Sequence, residues 1–379
     1  MPVKRVAFLI PNLQGGGAER VFATLLRCLD RSLYEPLLVL GKLEGAYVSD
    51  IPSDVRPVEL GGLRARHVLR ALPRWVRAAR PDLVIATTGF AAAAAFTRPM
   101  WPARTALVTR LANTLSSFYK DVARRSGRSA TAYRWINRGL YLGSDRVICQ
   151  SDHMLDDARR EIALGASKLH RIYNPVDLEA IRALSLQPAP PLPGVGPKLV
   201  AVGNLRWQKG YDVLLRAFAK LRGRWTTSTL SIFGEGGERE QLEKLAAQLH
   251  LGGALDLHGF AGNPYPALRS ADLLVSSSRY EGFSNVIVEA LALGTPVVAT
   301  DCPSANREVI RPQSGARLAP VDDPEGLARE LDFALSNLEQ LRIAVPDLHI
   351  AERFGSATIV GEYEALFSHL MRSGATVPD

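Results

Sequence analysis

Three cysteines, Cys28, Cys149 and Cys302, are all that 379 residues contain. Their odd number and wide spacing exclude a disulfide framework and offer no metal-ligand pattern, so reduced structural thiols and no metal site are expected. No apolar run approaches the roughly 18 residues needed to cross a bilayer, and the Ala-rich FAAAAAF at 90–96 is far too short. The opening MPVKRVAFLIP lacks a secretory apolar region, because its run ends at Pro11 and reads as a first strand. A cytoplasmic location is the expectation. No recognised nucleic-acid-binding motif is present either, so nucleic acid is not an expected partner.

What is present describes a globular enzyme-sized chain. Hydrophobic residues make up 47% and charged residues 22%, and the length exceeds one ordinary core, which favours two domains. The net charge of +8 is uneven. Residues 1–182 hold 28 Lys and Arg against 16 Asp and Glu, a net of +12, and the remainder hold 18 against 22, a net of −4.

The Pro-rich SLQPAPPLPGVGPK, 185–198, cannot be a helix or a central strand and reads as an interdomain linker. The same pattern repeats on both sides. Strand-like KRVAFLI, PLLVL, RPVEL, DLVIATT, TALVTR and DRVICQS alternate with helix-like AERVFATLLRCL and a helix around 67–79. After the linker, KLVAVGN, TLSIFGEG, LDLHGF, DLLVSSS, PVVAT and ARLAPV alternate with YDVLLRAFAKL, REQLEKLAAQL and VIVEALAL. Short apolar strands between amphipathic helices mean parallel sheets wrapped by helices. The expected domains are 1–184, the linker 185–198, and 199–355, with the helical segment 356–379 packing back on the first domain. The fold class is α/β, two doubly wound Rossmann-like domains. Such sheets bind ligands beyond the carboxyl ends of their strands, so the site is expected in a cleft between the two.

Four stretches carry chemistry. PNLQGGGAER places Gly15, Gly16 and Gly17 in a turn before a helix N-terminus, which favours an anion, with Glu19 as the polar contact. It is not the dinucleotide fingerprint, because the third glycine position is Arg20, and a plain tight turn is the alternative. VGNLRWQKGYDVLL, 202–215, puts Arg206 and Lys209 in the loop leaving the first strand of the second half, where cations can clamp a diphosphate. IFGEGGERE ends a strand at Gly234 before another helix, a second anion-friendly turn. YEGFSNVIVEALALGTPVVATD sets Glu281 in a turn and Glu289 eight residues on in a nearly all-apolar helix. A carboxylate there must be paired, by an arginine or cap, or else accept hydrogen bonds from a vicinal diol such as ribose. Ser284 and Asn285 are good N-cap residues, so backbone amides at 283–286 form a phosphate seat in front of that helix.

Together GGGAERV, IYNPVD at 172–177, the Arg/Lys loop and Glu281-x7-Glu289 followed by LALGTPVVATD resemble family 4 of the retaining glycosyltransferases over nearly the whole chain. The resemblance implies the GT-B architecture, two Rossmann-like domains facing across a cleft. It also implies retention of configuration by front-face attack without a metal, and no cofactor beyond a nucleoside-diphosphate sugar as substrate. By position Glu289 would hold the ribose and Glu281 the donor sugar near the reacting centre. The amides of Gly282, Phe283, Ser284 and Asn285 would meet sugar and diphosphate, and Lys209 the diphosphate.

Two departures stand out. The arginine that usually follows the strand glycine is Asn204 here, with Arg206 two residues on, and the usual first-domain histidine is replaced in TRLANTLSSFY by Arg110 and Asn113, which become acceptor-side candidates. The expected reaction moves a hexose or N-acetylhexosamine from a UDP- or GDP-sugar to a glycan or lipid-linked acceptor in cell-surface polysaccharide or lipopolysaccharide synthesis. A nucleotide-sugar 2-epimerase and an inactive sugar-binding relative are the alternatives. The basic stretches LRARHVLRALPRWVRAAR, 63–80, and FYKDVARRSGRSATAYRWINRGLY, 118–141, are compatible with peripheral binding to the anionic inner face of a membrane, or with helices that pack an apolar stripe on the sheet.

Overall fold

The computed structural model describes residues 3–126, 130–189, 191–311, 315–345 and 349–373. Contacts divide the chain into two units, the residues up to Pro175 together with those from Ser356 onward, and Val176–Gly355.

The first unit is built on β1 (Lys4–Ile10), β2 (Tyr34–Leu40), β3 (Pro57–Glu59), β4 (Leu83–Thr87), β5 (Ala106–Arg110), β6 (Arg146–Cys149) and β7 (Leu169–Arg171). They form one parallel sheet in the order β3-β2-β1-β4-β5-β6-β7. A central parallel strand is covered on both faces, and therefore reads as continuously apolar. In β1, Val6, Phe8 and Ile10 join the core on one face, with the helix Gly17–Cys28 and the C-terminal helix Ser356–Ser373. Ala7 and Leu9 face the other core, beneath the helix Thr88–Thr97. The FAAAAAF stretch is most of that last helix, where small side chains let it lie against β1, β4 and β5.

The second unit holds β8 (Lys198–Val202), β9 (Thr229–Phe233), β10 (Leu255–Gly259), β11 (Leu273–Ser276), β12 (Val297–Thr300) and β13 (Ala316–Ala319). Their order is β10-β9-β8-β11-β12-β13, again all parallel. Leu199 and Ala201 of β8 pack with Leu214 and Phe218 of the helix Tyr211–Leu221 and with Leu327 and Leu331 of Pro324–Ser336.

One boundary and the linker differ from the sequence reading. The units part at Pro175/Val176, upstream of the Pro-rich stretch. The helix Leu178–Ser185, capped by Asp177 Oδ1 accepting from Ala180 N, packs on Tyr265–Ser270 and Asn285–Ala292 and so belongs to the second unit. The Pro-rich stretch that follows is not a free linker. Leu192 is buried, Pro193 O accepts from Thr229 Oγ1 at 2.8 Å, and Gly194 and Gly196 lie against Thr229 and Thr227. Pro190 within it lies outside the described residues. Proline removes donors but not packing surface, and here the bent chain at 192–196 lies against the domain it precedes.

The 63–80 segment forms two helices, Ala65–Val68 and Ala71–Ala79, and the break at Leu69–Arg70 precedes Pro73 as a missing proline N–H requires. Val68, Leu72 and Val76 are fully buried in the sheet core. That apolar stripe is spent on the fold, so the segment offers arginines but no apolar face to a membrane. Among the described residues no helix is long and apolar enough to cross one. Cys149 and Cys302 are free and buried, and burial pushes both thiols up to about 12, which keeps them protonated and inert.

Candidate active site

In the second unit the strand order reverses between β8 and β11, and loops leaving such neighbours diverge to open a crevice at the carboxyl edge of the sheet. Of the second-unit residues singled out from sequence, most fall on these loops, 203–210 after β8, 234–237 after β9 and 277–284 after β11, and Asn285 and Glu289 fall on the helix that follows.

Glycine lets these loops touch backbone to backbone. A Cβ at Gly234 would stand 2.0 Å from Gly203 O, and one at Gly236 would stand 2.3 Å from Leu205 O. A Cβ at Gly203 would stand 2.9 Å from Lys209 Cε. Gly210 has φ 63°, and a Cβ there would meet Ser277 O at 2.2 Å. Ser277 Oγ donates to Lys209 O at 2.8 Å, tying the first loop to the end of β11.

This packing brings Lys209 onto Glu281. Lys209 Nζ donates to Glu281 Oε1 at 2.6 Å, Ser278 Oγ donates to the same oxygen at 2.7 Å, and Gln208 Nε2 lies 3.4 Å from Oε2. Glu281 is 7% exposed, and its backbone N–H donates to Pro303 O of the loop after β12. Directly after it the helix Asn285–Ala292 begins, with Ser284 at the N-cap position. Ser284 does not cap: its hydroxyl makes no bond to the first-turn amides, and among the described residues it is a buried hydroxyl with no partner. A helix start whose cap hydroxyl is unused presents amide donors and partial positive charge to whatever lies before it.

Sequence reasoning missed Arg279, which fastens the two loops. Its guanidinium forms paired bonds to Asp212 at 2.9 and 2.8 Å, reaches Asp322 Oδ1 at 2.7 Å and Trp207 O at 2.7 Å, and stacks over the Trp207 ring. Gln208 adds a bond to Tyr280 O at 2.9 Å. The only signal was a cation beside the YEG turn, since its partners lie 67 and 43 residues away. Burial disfavours the charged Asp212 carboxylate, but the Arg279 bonds and charge outweigh it and hold the group below its ordinary 3.8. A carboxyl so lowered contributes stability that is complete above about pH 4 and lost as pH falls through its folded value. Asp212→Asn therefore lowers the melting temperature at neutral pH, and the difference from wild type shrinks below pH 4; an equal deficit at all pH values would contradict the clamp.

Glu289 sits in the second turn of the Asn285–Ala292 helix and is 2% exposed. Arg206 and Asn204 are exposed in the loop after β8, so the structure does not bring Arg206 into the Lys209–Glu281 pair. In the first unit, Gly16 is the N-cap of the helix Gly17–Cys28 and a Cβ there would meet Glu19 Oε2 at 2.4 Å, so Glu19 folds back on the glycine turn after β1. Arg110 ends β5, and Asn113 follows it.

A model described as Glycosyltransferase Family 4 matches residues 15–180, and one described as Glycosyl transferases group 1 matches 196–337. The chain belongs to glycosyltransferase family 4. Among relatives of this glycosyltransferase, N-acetylgalactosamine-N,N'-diacetylbacillosaminyl-diphospho-undecaprenol 4-alpha-N-acetylgalactosaminyltransferase of Campylobacter jejuni is 28% identical over 353 residues, 90% of this chain and 93% of that one. A lipopolysaccharide 1,6-galactosyltransferase of Escherichia coli is 23% identical over 77% of this chain and 75% of its own. In fold the glycosyltransferase is similar to sucrose-phosphate synthase from Thermosynechococcus elongatus, with TM-score 0.81 and 18% identity, covering 98% of this chain and 100% of that one. Anabaena HepE in complex with UDP-glucose gives TM-score 0.78 at 20% identity, over 96% and 99% of the two chains. The two parallel Rossmann-like sheets are thus those of the GT-B class.

Proposed function

We propose that this family 4 enzyme transfers a hexose or N-acetylhexosamine, with retention and without a metal, from a UDP- or GDP-sugar to a glycan or lipid-linked acceptor in cell-surface polysaccharide or lipopolysaccharide assembly. The observation that carries the reading is the Lys209–Glu281 pair beside the helix start whose Ser284 hydroxyl is unused. Breaking the bond from sugar C1 to a diphosphate builds negative charge on the leaving oxygen. An ammonium and fixed amide dipoles stabilise that charge as it develops, at no cost of reorganising water.

In this reading Glu281 receives donor-sugar hydroxyls, with Lys209 handed from the carboxylate to the diphosphate when donor enters. Gly282, Phe283, Ser284 and Asn285 supply amides, and Glu289 holds the ribose. The exposed Arg206 swings onto the diphosphate from the loop after β8, and Gly234 keeps that loop in place. In the first unit Gly16 and Gly17 approach the donor, and Glu19, Arg110 and Asn113 serve the acceptor. The acceptor class is supported by the relatives, which the names above describe as acting on a diphospho-undecaprenol-linked sugar and on lipopolysaccharide.

A nucleotide panel tests the donor assignment. A ligand bound only to the native state at a hundredfold excess over Kd adds about 2.7 kcal/mol, so UDP or GDP raises the melting temperature and Glu289→Gln loses most of that shift. No shift with any nucleotide would sink the reading. For the membrane, the helices Leu115–Ser126 and Ala130–Leu142 are the proposed face: Phe118, Trp135 and Leu142 are exposed, with Arg138 beside the Trp135 ring. Residues 127–129 between them lie outside the described residues. Flotation with anionic vesicles at low salt is expected for the wild type and weakened in Trp135→Ala; absence of wild-type flotation removes the membrane partner.

A further inference from the structure

A cavity of about 360 Å³ opens in the first unit where the chain leaves β4 and β5. Arg110 lines it and is only 3% exposed. A buried guanidinium needs compensating negative charge, yet among the described residues no carboxylate pairs with it. One end donates to Asn174 Oδ1, and the Tyr363 hydroxyl, kept neutral by burial, lies close by. Its Nε is buried with no partner.

Thr88 lines the same cavity, and its Oγ1 is also buried without a partner. Its φ of 54° is left-handed, an outlier for a β-branched residue and a sign of backbone held for a purpose. Thr88 is the first residue of the ten-residue helix Thr88–Thr97, so that helix's amide end borders the cavity. Thr87 Oγ1 donates to Arg110 O at 3.1 Å, which locks the two strand ends together and fixes this spacing. A planar cation, an idle hydroxyl and a helix N-terminus converge on one ligand chemistry, the tetrahedral oxyanion of a phosphate. Most of the remaining wall, from Ala92, Leu111, Leu115, Phe118 and Leu140, is apolar, and the amides of Asn113 and Asn137 are further polar groups in it, a lining that suits an anion carried on an apolar chain better than a polyol.

We propose that this cavity seats the phosphate and the first apolar units of a phosphate-linked lipid acceptor, with Arg110 as the counter-ion. The inference rests on the transferase reading above, with the first unit as the acceptor side.

Calorimetric titration of the full chain with geranyl diphosphate, inorganic pyrophosphate, geraniol and glucuronic acid tests it. Saturable binding is expected for geranyl diphosphate, weaker binding for pyrophosphate, and none for geraniol or the sugar acid. Arg110→Gln weakens geranyl diphosphate about tenfold or more, the loss of a charge-assisted bond, Arg110→Lys less so, and each keeps the wild-type melting shift with nucleotide. Ala92→Leu, which fills the apolar wall, weakens geranyl diphosphate but leaves pyrophosphate unchanged. Should Arg110→Gln fail to fold, the lysine and leucine variants decide.

Geranyl diphosphate and geraniol binding alike, glucuronic acid binding in preference to the diphosphate, or wild-type affinity in folded Arg110→Gln each overturns the proposal. So does loss of the nucleotide shift in Arg110→Lys, which would make the residue a donor contact. Absence of any nucleotide shift in the wild type would instead fault the transferase reading, whereas donor binding with no geranyl diphosphate binding faults the cavity alone.

Discussion

Lys209→Ala slows sugar transfer on the order of 100-fold, with most of the loss in kcat. Two effects combine in that number. The ammonium stands 2.6 Å from Glu281 Oε1, and its alkyl chain lies over Gly203 at the carboxyl end of β8. There it can meet charge developing on a leaving diphosphate. Its removal also leaves a carboxylate that is 7% exposed without its cation, which costs about 2 kcal/mol of stability. The double variant Lys209→Ala with Glu281→Gln separates the two. The amide needs no counter-ion, so the midpoint of urea unfolding returns toward wild type, while kcat stays at or below that of the single variant. Recovery of turnover in the double variant would mean that Lys209 only neutralises Glu281 and takes no part in the chemistry.

Gly210→Ala is expected to cost about 3 kcal/mol and to raise the donor KM about tenfold or more. The added Cβ meets Ser277 O at 2.2 Å, and the residue must hold φ 63°, a conformation that L side chains rarely adopt. Neither obstacle can be relieved by rotating a side chain, because the atom in the way is backbone. The loop would have to lift from β11, carrying the adjacent Lys209 with it and breaking the Ser277–Lys209 bond. Gly237→Ala is the control: nothing stands within 4 Å of its Cβ, so the midpoint stays within about 1 kcal/mol of wild type. Urea unfolding and donor titration of both variants measure the contrast; a wild-type midpoint in Gly210→Ala would show that the close approach is not rigid.

Strands such as KRVAFLI and helices such as YDVLLRAFAKL were legible because each is local: continuous apolar runs mark buried parallel strands, and 3.6-residue spacing marks covering helices. Glu289 was legible because a carboxylate in a nearly all-apolar helix announces itself, and Glu281 because it stands in a turn eight residues before it, in a spacing that resembles a known family. The Lys209–Glu281 pair and the Arg279 clamp were not, because each joins residues more than forty positions apart whose meeting depends on strand order. The short β7, Leu169–Arg171, also escaped notice, since three residues carry no periodicity and are paired only because β6 lies alongside. The unit boundary was misplaced for a related reason: proline content reports stiffness, not which neighbour a segment leans on. Arg110 was visible as a departure from a family pattern, but its burial away from any carboxylate was not.

The helix Ser356–Ser373 places Ile359, Tyr363 and Phe367, all fully buried, in the core beneath β1. During synthesis those side chains leave the ribosome only after Val176–Gly355 has been made, so the later-made unit can close while the earlier one still lacks a wall. The nascent chain therefore carries an exposed apolar trough around Phe8, Phe22 and Leu25 until translation is nearly done, a substrate for chaperones. A stop codon before residue 356 would leave that trough permanently open and send the product toward aggregation, although every residue named in the Lys209–Glu281 site would still be present.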